Sequence, residues 1–251
     1  MADYASESGH WYKLDGTPCY TIKGKNGNER PTTLRDARTL NLLPSVTGII
    51  RLAAAPGLEN WKQNQILLSA MTLPRVEGEL DESFMRRVVD DSREQAKRAA
   101  QRGEDIHGAI ECHYRGSFYA EKYNPWVSES CEELRTKCGL ENAWLPEKSY
   151  AYKAMYGCRI DLHSNDWLVD VKTKERRDQL DIYDEHCMQL AANAKASGQP
   201  IKHHGILFVG RDEPWAELIR VEPKDIQRGW DMFMGLFMYW QAKTGHYPRV
   251  E

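Results

Sequence analysis

The stretch from Gly157 to Lys174, GCRIDLHSNDWLVDVKTK, constrains the fold more than any other. Two alternating runs flank Asn165-Asp166, a dipeptide that tolerates the positive φ of a tight hairpin turn. Cys158, Ile160 and Leu162 alternate with Arg159, Asp161 and His163; Trp167, Val169 and Val171 alternate with Leu168, Asp170 and Lys172. Such period-two patterning predicts two antiparallel strands. With Ser164 facing Trp167 across the turn, Asp161 falls opposite Asp170, on the face away from the apolar residues, and Lys172 shares that face. Directly opposed like charges destabilise a sheet. A divalent cation gathered by hard oxygen ligands removes the conflict; a structural ion pair with the lysine is the simpler alternative.

The flanking sequence gives this hairpin neighbours. Residues 144–152 predict a strand carrying Glu147, which falls beside Asp161 if the intervening loop has an odd residue count and is otherwise an exposed strand carboxylate. Residues 183–197 predict an amphipathic helix with Tyr183, Cys187, Leu190, Ala191 and Ala194 as its buried stripe and Gln189 and Asn193 beside it. Strands are expected at 205–209 and 215–221 and a last helix at 223–244. Upstream, 81–101 is charged and helical, Gly103 is read as an interruption, and a further helix carries His107 and Glu111 one turn apart. Residues 125–138 read as another helix. Nearer the start, 11–14 and 19–22 suggest a hairpin around Asp15-Gly16, and Ser45 an N-cap for a helix over 46–55. Pro56-Gly57 ends that helix, and a second runs through Trp61 to about residue 69. Ser45 and Thr47 at a helix start either cap it or hold a phosphate. The outcome is an α/β fold: a mixed central sheet flanked by helices, with an N-terminal hairpin and helical extension.

No Gly/Ser- or Pro-rich linker divides the 251 residues. One domain over 1–251 is therefore expected, with an N-terminal part at 1–102, a core at 103–221 and a closing helix from 222. The net charge of −3 does not suit a generic nucleic-acid coat, but carboxylates that bind metal can offset local basic patches. The six cysteines form no CxxC pair, so neither a zinc nor an iron–sulfur site is expected. No long apolar run and no basic-then-apolar leader is present, so a cytoplasmic protein without membrane contact is expected.

Gly157-Cys158-Arg159-Ile160-Asp161, followed by Asp170-Val171-Lys172, resembles the PD-(D/E)xK nuclease superfamily. Gly103 and His107 resemble the extra histidine motif of its RecB-type branch, and Gln189 the first residue of that branch's QxxxY motif. LPSVTGII with APGLENW is similar to phage-encoded exonucleases of this branch, relatives of the mitochondrial genome maintenance exonuclease. The chain departs from the pattern at Ile160, where the superfamily name has proline, and at Asn193, where the motif has tyrosine.

The resemblance implies a restriction-endonuclease-like αβββαβ core and a Mg²⁺-dependent DNA exonuclease in which Mn²⁺ substitutes. It implies His107, Asp161, Asp170 and the Val171 carbonyl as metal ligands and Lys172 as catalytic lysine. Gln189 would position Lys172 or DNA, and Glu147 is a further candidate ligand. Ser45, Thr47 and Arg102 would contact a terminal phosphate, and Lys174 the DNA. A single-strand annealing protein and a second copy of the chain are expected partners, and recombination, repair or DNA processing the setting. A structure-specific endonuclease on the same core, or a non-catalytic DNA-binding protein, are the alternatives.

Overall fold

The first half of the chain forms β1 (Trp11–Tyr12), β2 (Thr21–Lys23), β3 (Glu29–Pro31), α1 (Leu34–Leu40), β4 (Leu43–Pro44), α2 (Val46–Ile50), α3 (Pro56–Thr72) and α4 (Asp81–Arg115). The second half forms α5 (Asn124–Cys138), β5 (Leu145–Tyr152), β6 (Tyr156–His163), β7 (Trp167–Lys174), α6 (Asp184–Ser197), β8 (His203–Gly210), β9 (Ala216–Val221) and α7 (Pro223–Thr244). This computed structural model describes residues 9–54, 56–139, 143–178 and 180–249. Residues 1–8, where leader features were sought, and Ala55, the end of the helix expected at 46–55, lie outside them.

A five-stranded sheet, ordered β5-β6-β7-β8-β9, is antiparallel except where β8 runs parallel to β7. That parallel step needs a crossover, and α6 supplies it. Helices cover both faces. Leu168, Ile206 and Phe208 pack with Cys187, Leu190 and Phe233 on one side; Val169, Val171, Leu207 and Val209 pack with Ile106, Ile110 and Leu134 on the other. The sheet face expected to be polar is therefore a second core, and Asp170 on it is buried.

Three expectations are corrected. Trp11 and Tyr12 pair with β4, and Thr21–Lys23 with β3. The Asp15-Gly16 turn does close, with Lys13 N donating to Thr17 O at 2.8 Å. Cys19 N also donates to Trp11 O at 2.7 Å, so the two arms do meet, but a single bridge from Tyr12 to Pro18, which has no N–H, is as far as that ladder goes. Second, α4 runs unbroken through Gly103. A Cβ there would stand 2.6 Å from Thr173 Oγ1, so the missing side chain lets the helix lie close on β7. Third, α2 stops at Ile50 rather than running on. The short α1, which hydrophobic periodicity did not reveal, starts at a capping box between Thr33 and Asp36. Among the described residues no helix is long and apolar enough to cross a membrane.

Candidate active site

The β6–β7 turn keeps the register read from the sequence: Leu162 pairs with Val169 and His163 with Leu168. Past that point the strands part. Asp161 Oδ2 accepts the Val171 N–H at 2.8 Å, so a side chain substitutes for the next ladder bond. On the other edge of β6, Pro146 pairs with Leu162 and Lys148 with Ile160, while Glu147 opposite Asp161 makes no ladder pair. Glu147 takes a left-handed backbone, φ 51°, which a non-glycine residue adopts only when its surroundings hold it there. Asp161 thus sits at a gap in both ladders. The expected alternation along β6 breaks there too: Cys158 and Ile160 enter one core and Leu162 the other. Asp161 and Asp170 are thus not ladder partners on an open sheet surface.

Each neighbouring element brings its own residues. From β7, Asp170 Oδ2 meets Lys172 Nζ at 2.7 Å. From α6, Gln189 Nε2 donates to Asp170 Oδ1 at 2.5 Å, and its Oε1 lies 3.4 Å from Lys172 Nζ. From α4, one turn past the Gly103 contact, His107 places Nε2 at 3.2 Å from Asp161 Oδ2 and Nδ1 at 3.7 Å from Glu147 Oε1. In an extended strand a residue's N–H and C=O point the same way, so the Val171 carbonyl faces the gap that its N–H addresses.

The ionisable groups of the site are crowded and shift one another. Burial, then repulsion from Asp161, pushes Glu147 up to about 7. Burial raises Asp170 as well, with Asp161 adding to the effect and Lys172 opposing it. Asp161 goes the other way: burial would raise it, but His107, Lys172 and the Val171 N–H hold it low. His107, despite a burial penalty, is lifted to about 9 by Asp161, Glu147 and Asp170. Burial also works against the Lys172 charge, but Asp170 and Asp161 overcome it and hold the ammonium form. In this state Lys172 is a fixed positive charge rather than a proton acceptor.

The donor set suits a hard divalent cation. His107, Glu111 and Glu147 can each offer an atom within 4.8 Å of the others, and Asp161 is in contact with His107. Burial raises Glu147 and Asp170, and the carboxylates in turn raise His107, as expected of ionisable groups crowded in a buried site. Glu111, given no role from the sequence, joins this group because it lies one helical turn after His107; that spacing was the available signal. In the structure Glu111 pairs with Arg115 and Glu147 with Arg159.

The remaining sequence candidates lie elsewhere. Ser45 is buried and caps α2, accepting the Gly48 N–H at 3.0 Å. Thr47 is exposed and lines a cavity of about 200 Å³ with Trp11, Arg51 and Trp240. Arg102 is committed to the 210–215 turn: its Nε donates to Arg211 O at 2.6 Å and its guanidinium lies over the Trp126 ring. Lys174 lies over the Tyr183 ring at 5.2 Å, two residues past Lys172 on the same strand.

No protein-family model matches the chain, and no curated protein matches it. Among solved structures, a crystal structure from Eubacterium rectale, provisionally named an exonuclease, is similar at 15% identity and a TM-score of 0.42. The alignment covers 60% of this chain and 69% of that one.

Proposed function

We propose that this protein is a metal-dependent deoxyribonuclease that hydrolyses phosphodiester bonds from a DNA end, on a restriction-endonuclease-like core of the RecB-type branch. The observation that carries the reading is the group of side chains where β6 and β7 part. There Asp161, Asp170 and Lys172 meet His107 from the preceding helix and Gln189 from the following one. A surface ion pair would need neither the buried Asp170 nor a gap in two ladders. Burying unbalanced carboxylates is costly, and such perturbed groups cluster at functional sites.

His107, Asp161, Asp170 and the Val171 carbonyl would hold Mg²⁺, or Mn²⁺ in its place, with Glu147 alongside. The cation, when bound, supplies Lewis acidity: a more acidic water and neutralisation of charge building on the phosphoryl oxygens. Lys172 would stabilise that same negative charge and orient the attacking water. Gln189 holds Asp170 and Lys172 in place together. Arg159, beside Glu147, is placed to meet a phosphate when a cation takes over the carboxylates.

The test is digestion of end-labelled linear DNA and covalently closed circles with Mg²⁺ or Mn²⁺. Linear DNA should be degraded, circles left intact, and EDTA should stop the reaction. Cutting of circles would make the enzyme an endonuclease. Asp161→Ala and Lys172→Ala should each reduce cleavage by at least about 100-fold with the fold retained. Near-full activity of the Lys172 variant would overturn the assignment.

A further inference from the structure

The N-terminal segment carries rings, and Arg51 a charge, that the hydrolytic site does not use. His10 is exposed and stacked on Tyr20, centroids 4.5 Å apart and planes at 24°. The Tyr20 hydroxyl is bonded to that of Tyr12 at 2.7 Å. Tyr12 is buried against Gly157, where an added Cβ would fall 2.3 Å from its ring, so the stack is fixed to the first residues of β6.

Two cations flank it. Arg159, two residues past Gly157, reaches Glu147 on one side, and its charge acts on Tyr20, Tyr12 and His10 on the other. It therefore lies between the carboxylate site and the rings. Arg51, at the end of α2, lines the cavity of about 200 Å³ together with His10, Trp11 and Thr47. Among the described residues no carboxylate pairs with Arg51. Trp11, 6% exposed, lines the same cavity, and its indole N–H has no acceptor among the described residues.

A ring stack alone would do no more than fasten the start of the chain to β2. It leaves unexplained the unopposed Arg51, the orphaned indole donor and the position beside that site. We propose that His10, backed by Tyr20, is a stacking platform for one unpaired base of a DNA end, with Arg51 and Arg159 drawing in that nucleotide's phosphate. Aromatic faces stack any base, and cations beside them supply the sequence-independent attraction to the backbone. This subsite rests on the nuclease reading and adds to it a preference for a frayed or overhanging end.

The experiment compares two linear duplexes with a short overhang, the terminal nucleotide carrying a base in one and abasic in the other. Binding is followed by anisotropy in Ca²⁺ and cleavage by kcat/KM in Mg²⁺, for the full chain. The natural protein should prefer the base-bearing end on the order of 10-fold. His10→Ala and Tyr20→Leu should each bring the two ends together. Arg51→Ala should weaken both ends alike and lower the salt slope of binding by about one. Equal treatment of both ends by the natural protein, or undiminished preference in both ring variants, overturns the platform while leaving the nuclease reading intact. No binding or cleavage of any linear DNA overturns both.

Discussion

At the scale of single residues, the proposed site is tested at Gln189 and His107. Gln189 is neutral, yet it touches both Asp170 and Lys172 and so fixes the distance between a carboxylate and an ammonium. Residues that orient metal-site groups in this way typically cost 10–100-fold in activity or metal affinity when lost. Gln189→Ala should therefore lower kcat by about that factor while changing stability little, and steady-state kinetics beside a melting curve would show it. His107 gives a pH signature. Its folded pKa, about 9, lies above the ordinary 6.5, so the folded metal-free protein holds a proton that the unfolded chain releases. The stability this contributes is complete below 6.5 and is lost as pH rises through 9. Glu147, raised from 4.5 to about 7, acts with the same sign in its own lower window. The melting temperature of the EDTA-treated protein should fall between pH 6.5 and 9, and His107→Gln should flatten that fall. A rise over this window would contradict the charge arrangement.

At the scale of elements, glycines set the distances that bring these residues together. Gly229 on α7 lies against the backbone of α6, where a Cβ would stand 2.4 Å from Cys187 O. A carbonyl oxygen cannot rotate aside, so Gly229→Ala must separate the helices, at a cost of about 1–3 kcal/mol. Gly235, on the same helix, has nothing within 4 Å of its Cβ position. Gly235→Ala should stabilise by about 0.5–1 kcal/mol, since alanine loses less entropy in a helix. Urea titrations of the pair would separate packing from propensity. Because α6 carries Gln189, the Gly229 variant should also lose activity beyond what its stability explains. Gly103 has the same part on α4: it brings His107 over the sheet where a reading by propensity alone expects the helix to stop.

At the scale of the whole molecule, the C-terminal end of the described chain is clasped to the turn between α1 and β4. His246 Nε2 lies 2.7 Å from Leu42 O, and Asn41 bonds both the N–H and the carbonyl of Arg249. His246 is buried, and burial holds its imidazole low in pKa, so it serves as a neutral donor to that carbonyl. His246→Ala leaves a buried carbonyl unpaired, which costs about 1–3 kcal/mol; a lower midpoint in urea with unchanged slope is the expected result. Through α7 and β4 the same loss should loosen the N-terminal segment on β6, raising its hydrogen exchange above that of β7.

Much of this was legible in the chain itself. Alternation and turn chemistry are local, so the β6–β7 hairpin, its register at the turn and α7 from 223 to 244 follow from the order of residues. The residue types at Asp161, Asp170 and Lys172 raise a cation site as one reading and a structural ion pair as the other, and the sequence does not choose between them. Long-range pairing was not legible. Trp11 accepts the Cys19 N–H across its own turn and also pairs with Pro44 beyond α1, a partner that no local signal identifies. The side that β6 presents changes at Asp161 because a carboxylate takes a backbone donor there. The meeting of His107, Glu111 and Glu147 depends on how closely a helix rests on the sheet. Those are contacts between segments far apart in sequence, and only the packed structure fixes their distances.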